Sequence, residues 1–174
     1  MSEPSRLPSG PRAEPRNRAL RAPAVETIDF LAFVLDTEDY AVPLAEVREI
    51  LKVPEVTEVP RAGEDVLGIL SLRGTVVTLI DLRRRIGLAE RPLDRKSRVL
   101  VVRRDVAGAE DRSEGEPIGL LVDSVVGVIR LRPEDIEDKP AVPATKHAEF
   151  LAGVACPDGS LYVLLNLEAV LSGL

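Results

Sequence analysis

The sequence predicts an all-β protein whose strands wrap into small barrels with filled interiors. Composition is the first reason: hydrophobic residues make up 45% of the 174, yet aromatics make up only 3% and tryptophan is absent. Such an interior is built from Val, Leu and Ile, and β-branched residues favour strands. Segmentation is the second, since short apolar runs recur between turn residues with little at helical spacing. Third, these runs are nearly continuous rather than alternating, so both faces are covered, which suits a closed barrel.

Taken in order, residues 1–26 are rich in Pro, Arg and Ser and lack apolar periodicity. They cannot bury enough surface to offset their ordering entropy, so they are expected to be a disordered leader. The folded domain is expected over 27–174. It opens on "IDFLAFVL", a buried strand, the turn "DTEDY", and "YAVP". Leu44, Val47 and Leu51 stand at helical spacing and predict one short helical turn, with Pro54 and Pro60 stopping anything longer.

"VLGILSL" and "TVVTLIDL" follow, parted by Arg73-Gly74, then a helical turn at "LRRRIG" closed by Gly87. "RVLVVRR" predicts another strand, and residues 104–116 a charged hairpin excursion. "IGLLVD" and "VVGVIRL" form a further pair, before the irregular, proline-broken stretch 132–150. "FLAGVAC", the turn "PDG", "SLYVLLN" and a short helix "LEAVL" close the chain. The total is about nine short strands, the pattern of a sandwich or barrel.

Charge narrows the function. The net charge is −6, but residues 1–23 hold five arginines against two glutamates, a balance of +3 that leaves −9 for the rest. A domain so acidic repels phosphate, and its aromatics (Phe30, Phe33, Phe150, Tyr40 and Tyr162) lie mostly in apolar runs rather than on a stacking platform. That argues against a nucleic-acid-binding barrel. The N-terminus has no apolar core of a secretory signal, and no uncharged apolar stretch reaches the ~20 residues of a membrane helix. A soluble cytoplasmic protein without membrane insertion is the expectation.

Reactive groups are scarce. His147 and Cys156 are single, too few for a metal set, and Cys156 ends an apolar strand pattern, so a buried inert thiol is expected. Gly68 and Gly74 sit in strand and turn contexts, with no helix following to cradle a phosphate. Asp81 and Asp123 fall at strand ends, where a carboxylate accepts backbone N–H bonds or, in a pair, does acid–base work. Nothing completes an active site around them, so neither catalysis nor a cofactor is expected.

Arg73 remains. Gly74 supplies the freedom for a tight turn or bulge, from which Arg73 projects. It is either a solvated turn arginine or an interface anchor ringed by apolar residues such as Leu72 and Val47, a role that suits the planar guanidinium.

"GILSLRGTVVTLIDLR" (68–83) resembles the Gly-x-x-Asn-Leu-Arg-Gly-x-x-x-Pro-x-x-Asp-Leu-Arg signature of CheW, the bacterial chemotaxis coupling family. "FLAFVLDTEDYAVPLAEVREI", "IGLLVDSVVGVIRLRPEDI" and "FLAGVACPDGSLYVLLNLEAVL" resemble its opening strand, turn and short helix, its Gly-x-x-Val-Asp hairpin and its closing strands. Ser71 stands where the family usually has Asn, and Thr78 where it has Pro, which leaves room for altered partner choice. The resemblance implies two intertwined five-stranded barrels of the Src-homology-three type, without catalytic activity or cofactor. It implies an adaptor in a two-component system, linking a CheA-type histidine kinase to the cytoplasmic tips of methyl-accepting chemoreceptors. A groove between the barrels would receive the receptor tip, and the end of one barrel the kinase's regulatory domain. Arg73, Gly68, Leu72, Val47 and Glu49 match family positions implicated in these contacts. A coupler in surface motility or development is the alternative, ahead of a barrel-type nucleic-acid binder.

Overall fold

The structure, a computed structural model, describes residues 26–104, 115–138 and 148–174. Nearly all of the leader, the loop within 104–116 and His147 lie outside the described residues. The chain begins β1 (Ile28–Leu35), β2 (Glu38–Pro43), a 3₁₀ turn (Leu44–Glu46), β3 (Val47–Lys52), β4 (Val66–Leu72), β5 (Thr75–Asp81) and α1 (Leu82–Arg85). It continues β6 (Arg98–Arg104), β7 (Glu116–Val122), β8 (Ser124–Leu131) and, after a 3₁₀ turn, β9 (Ile136–Asp138). It ends with β10 (Leu151–Ala155), β11 (Tyr162–Leu165) and α2 (Leu167–Leu171).

These strands form a six-stranded sheet, β8-β1-β2-β11-β10-β9, and a five-stranded sheet, β3-β6-β7-β5-β4. The chain starts in the first, crosses to the second for β3 to β7, and returns, so the lobes are interwoven. The all-β expectation holds, with two corrections. Among the described residues eleven strands are present rather than about nine, and neither sheet closes into a five-stranded barrel by ladders. A single bridge, Thr57 to Ile69, is what brings the chain leaving β3 against β4.

The two added strands are β3 and β9. In β3 the expected helix ends after Glu46: Val47, Glu49 and Leu51 are half-buried while Arg48, Ile50 and Lys52 are exposed, a period of two. Val47 and Leu51 fit both spacings, and pairing with β6 decides for the strand. Cys156 is exposed, not buried, because β10 ends at Ala155 and Cys156 stands at the corner before the turn.

The lobes repeat one another. β3, β6, β7, β5 and β4 correspond to β8, β1, β2, β11 and β10, with the same antiparallel pairs and the same single parallel pair, β5 with β7 and β11 with β2. The details recur as well. Ladder slips skip Arg48 in β3 and Val126 in β8, and further slips precede Gly68 and Gly153. Arg73 and Asp158 both have φ 51°, followed by Gly74 at 82° and Gly159 at 83°. Asp81 caps α1 and Asn166 caps α2, each accepting backbone N–H bonds from the first turn.

Three apolar cores follow. One fills the five-stranded lobe (Leu70, Val77, Leu79, Val99, Val101, Leu121) and a smaller one the six-stranded lobe (Phe30, Ala41, Leu131, Ala155, Leu164). The largest lies between them, where Leu31, Phe33 and Leu35 of one sheet meet Leu100, Val102 and Leu120 of the other and Val170 of α2. The lobes therefore share a core.

Candidate functional site

Arg73 and Gly74 form the two-residue link between β4 and β5, and positive φ at both central positions is the hairpin geometry that matches strand twist. The left-handed turn swings Arg73 out of the sheet. Its Nη2 donates to Glu49 Oε1 at 2.9 Å, with the arginine side chain 78% exposed. Glu49 lies on β3, the opposite edge of the five-stranded sheet, so the ion pair shows the sheet curled until its two edges meet. So exposed a pair contributes at most about 1 kcal/mol. Arg73 is held in register rather than used as a fastener.

The apolar ring expected around Arg73 is arranged differently. Leu72 and Val47 are half-buried and pack into two separate cores, Leu72 with the five-stranded lobe and Val47 with the central cluster. The exposed aliphatics at this tip are Ile50 on β3 and Val76 on β5, 42% and 62% accessible. Outward alternation along β3 was the signal for Ile50, hidden by the helical spacing. Gly68 is buried, and a Cβ there would meet Thr57 O at 2.3 Å. It touches the site through the Thr57 bridge, not by surface contact.

The second lobe carries the same frame with other side chains. Asp158 occupies the place of Arg73, Gly127 that of Glu49, and Val126, Val128 and Leu161 are exposed where Arg48, Ile50 and Val76 stand. Pro157 replaces Leu72 and has no N–H, so the ladder stops at Ala155. β8 is an edge strand, leaving one side of its backbone unpaired in the sheet.

Between the lobes runs a cleft of about 730 Å³. Its rim carries both signs, Arg48, Arg103 and Arg104 with Glu46 and Glu168, over Leu165, Leu167 and Leu171, which are buried. The junction is set by two arginines of α1: Arg83, which closes the family signature without a role read from the sequence, and Arg85. Arg83 is buried, and donates from Nε to Ala89 O at 2.7 Å, from Nη2 to Asp36 at 3.1 Å and from Nη1 to Asp123. Asp36 turns between β1 and β2, and its N–H also donates to Asp123, at 2.8 Å. Arg85 bonds Asp65 at 3.0 Å and Val170 O at 2.8 Å, with its guanidinium 5.5 Å from the Phe150 ring centre. Asp81 and Asp123 are thus a helix cap and an arginine partner, as turn chemistry allowed, and they form no acid–base pair.

Among the described residues no three His, Cys, Asp or Glu are grouped to hold a metal, and no helix is long and apolar enough to cross a membrane. The model of the CheW-like domain matches residues 29–174. The chain belongs to the CheW family. It is 30% identical over 146 residues to the chemotaxis protein CheW of Helicobacter pylori, covering 84% of this chain and 82% of that protein. With CheW of Klebsiella aerogenes it shares 28% over 151 residues, 86% of each. With protein FrzA of Myxococcus xanthus it shares 29% over 157 residues, 89% of this chain and 92% of that one. The crystal structure of the scaffolding protein TtCheW of Thermoanaerobacter tengcongensis superposes with a TM-score of 0.74 at 28% identity, covering 84% of this chain and 94% of that one. CheW proteins are non-catalytic, and this chain is a scaffold of chemotaxis signalling on that ground.

Proposed function

We propose that the chain couples the cytoplasmic tips of methyl-accepting chemoreceptors to a CheA-type histidine kinase by using the two tips and the cleft as separate docking places. It works in the cytoplasm, beside the receptor arrays. The receptor's helical tip lies in the inter-lobe cleft and against β3, with Val47 and Leu72 supporting the surface, Gly68 shaping it through Thr57, and Glu49 and Arg73 setting register. The kinase's regulatory domain takes the apolar tip of the six-stranded lobe, at Val126, Val128 and Leu161.

The observation that carries this reading is the repeated frame with differentiated chemistry: both tips expose aliphatics, but one adds the Arg73–Glu49 pair and the other has Asp158 and Gly127 in those places. An amphipathic helix fits a cleft with charges of both signs at its rim, whereas a folded domain fits an exposed aliphatic tip. Two partners held at once let receptor state reach the kinase only if the scaffold between them is stiff, and the shared core with its Arg83 and Arg85 ties supplies that stiffness.

Purified protein, a soluble receptor-tip fragment and the kinase test it. Arg73→Ala is expected to melt as the parent does and to bind the receptor fragment about tenfold more weakly, the loss of a modest hot spot. Val128→Asp is expected to weaken kinase binding and spare the receptor. Unchanged receptor binding by folded Arg73→Ala removes Arg73 from the site.

The match to FrzA over 92% of that protein favours one second reading, a coupler in a system other than chemotaxis. Co-purification from the native cell separates the two by the receptor and kinase recovered.

A further inference from the structure

The two lobes protect their edge strands unequally. β3 shows Arg48, Ile50 and Lys52 to solvent, one aliphatic between two charges, with the Arg73–Glu49 pair beside it. β8 shows Val126, Val128 and Arg130 at the corresponding places, and both valines are more than half exposed, as is Leu161 on the neighbouring hairpin. Outward charges keep an edge strand from pairing with another chain, and the first half of β8 lacks them. Bare valines on a strand whose backbone is unpaired along one side call for a cover.

The chain brings an occupant to that edge. β1 pairs with β8 from Ile28 opposite Leu131 onward, so residues 1–25, which lie outside the described residues, join the domain at the far end of the same strand. Leu131 to Val126 is about 17 Å at strand rise, and ten residues of extended chain span up to about 33 Å. Residues 16–25, RNRALRAPAV, therefore reach the length of β8 with chain to spare for the turn into β1. Their chemistry matches the strand. In extended chain Leu20, Ala22 and Ala24 share one face, preceded by Arg16 and Arg18. Residues 1–23 carry +3 against −9 for the rest, and the tip beside the valines exposes Asp158 where the other lobe has Arg73. The two arginines at the Leu131 end are already paired, Arg130 with Asp29 and Arg132 with Glu134, so they do not repel the segment with free charge.

We infer that residues 16–25 are an intramolecular ligand of β8, laying their apolar face over Val126 and Val128 and an arginine against Asp158, and so compete with the partner that docks at this tip. The identity of that competitor rests on the kinase reading proposed above. A tethered segment acts at an effective concentration on the order of millimolar, so weak contacts are enough for partial cover. Cover of about half to two-thirds of the molecules lowers a competitor's apparent affinity about two- to threefold. The arginine–aspartate contact is exposed, so salt uncovers the tip.

Cys156 is the single cysteine and is exposed, two residues from Asp158, so a nitroxide attached to it in the full chain reports what lies near the tip. Nuclear magnetic resonance is expected to show broadened amide signals for residues 16–22, independent of protein concentration and fading in high salt. Asp158→Arg is expected to lose the broadening yet melt as the parent does, since Arg73 holds the same φ of 51° in the other lobe. Arg16→Glu, Arg18→Glu and Arg21→Glu together are expected to restore it in the Asp158→Arg background. With Asp158 intact, the same three substitutions are expected to tighten binding of the kinase's regulatory domain about two- to threefold by calorimetry. Equal broadening in the parent and in Asp158→Arg overturns the inference, as does broadening that grows with concentration, which belongs to a second copy. If the segment is held but the kinase domain binds without releasing it, the cover stands and the kinase reading of this tip falls. If Val128→Asp blocks the kinase domain while the parent shows no broadening, the kinase reading stands and the inference falls alone.

Discussion

The tip of the five-stranded lobe and the tip of the six-stranded lobe have one backbone and two chemistries. Each is a hairpin that turns through a residue at φ 51° and a glycine near 82°, set against an edge strand that slips its ladder at one residue. On one lobe the left-handed residue is Arg73, paired with Glu49; on the other it is Asp158, with Gly127 where the glutamate would be. Backbone geometry is held by glycine positions and ladders, while the two chemistries ride on side chains that point outward and contribute little to stability. A scaffold needs that separation. Its two faces can diverge without disturbing the shared core.

Three glycines sharpen the comparison and carry the largest expected effects on stability. Gly68 combines φ +147° with a close approach, Thr57 O lying 2.3 Å from any added Cβ. Gly127 has the same φ of +147° with nothing within 4 Å, and Gly153 has the close approach alone, to Glu137 O at 2.6 Å. Gly68→Ala is expected to cost about 3–5 kcal/mol, because backbone must move and the left-handed φ must also be tolerated. Gly127→Ala isolates the strain and is expected to cost about 1–2 kcal/mol. Gly153→Ala isolates the clash and falls between them. Chemical denaturation ranks the three, and equal losses at Gly68 and Gly127 would show that the Thr57 contact contributes nothing. Gly68→Asp adds a buried carboxylate to both penalties, so its loss of binding would follow from loss of fold.

Arg73 and Arg83 differ in the same way within one stretch of chain. Arg73 is solvated, whereas the Arg83 side chain is 7% exposed and joins Asp36 to Asp123 across the junction of the lobes. Arg83→Met keeps the bulk but leaves Asp123, 13% exposed, with only Arg91 at 3.7 Å and the Asp36 N–H at 2.8 Å. About 2 kcal/mol of stability is expected to go, less than a fully stranded carboxylate would cost. A melting curve on Arg83→Met beside Arg73→Ala measures the contrast, and similar small losses in both would mean that the junction is held by apolar packing alone.

The difference between these arginines also marks what could be read before the fold was known. Arg73-Gly74 between two apolar runs is a local signal, since a hairpin link depends on the residues that form it. Asp81 before "LRRRIG" and the helix "LEAVL" are local in the same sense, as cap and short apolar stripe. The role of Arg83 is not local: Asp36 and Asp123 lie 47 and 40 residues away in the chain. The repeat was hidden for a related reason. Arg73 matches Asp158, Leu72 matches Pro157 and Val126 matches Arg48, so the lobes agree in ladder slips and φ values more than in letters. β3 was misassigned because Val47 and Leu51 satisfy two periods, and β9 because three residues carry almost no pattern. Leu72 and Val47 are apolar and close to Arg73 in sequence logic, yet they face inward, and the strand register alone reveals Ile50 and Val76 as the outward pair.

The last and smallest contrast lies inside the fold, where Tyr40 of β2 and Ile118 of β7 hold corresponding places beside β11 and β5. Both are buried, but Tyr40 carries a hydroxyl and stacks on Phe33 with ring centres 6.3 Å apart. Burial raises its pKa above the usual 10.0; the negative charges of Glu38 and Asp36 add to the rise, and Arg83 opposes it. A group raised in the folded state stabilises fully below its unfolded pKa, and that contribution is lost as pH climbs through the folded value. Stability from this source is therefore constant through neutral pH and falls only above pH 10. Tyr40→Phe removes the titration and keeps the ring, so the variant is expected to lose less stability than the parent between pH 10 and the alkaline limit. Parallel denaturation curves for the two proteins across that window check it. Curves that stay parallel would mean the Tyr40 hydroxyl reaches water, and that this corner of the central core opens where its Ile118 counterpart stays shut.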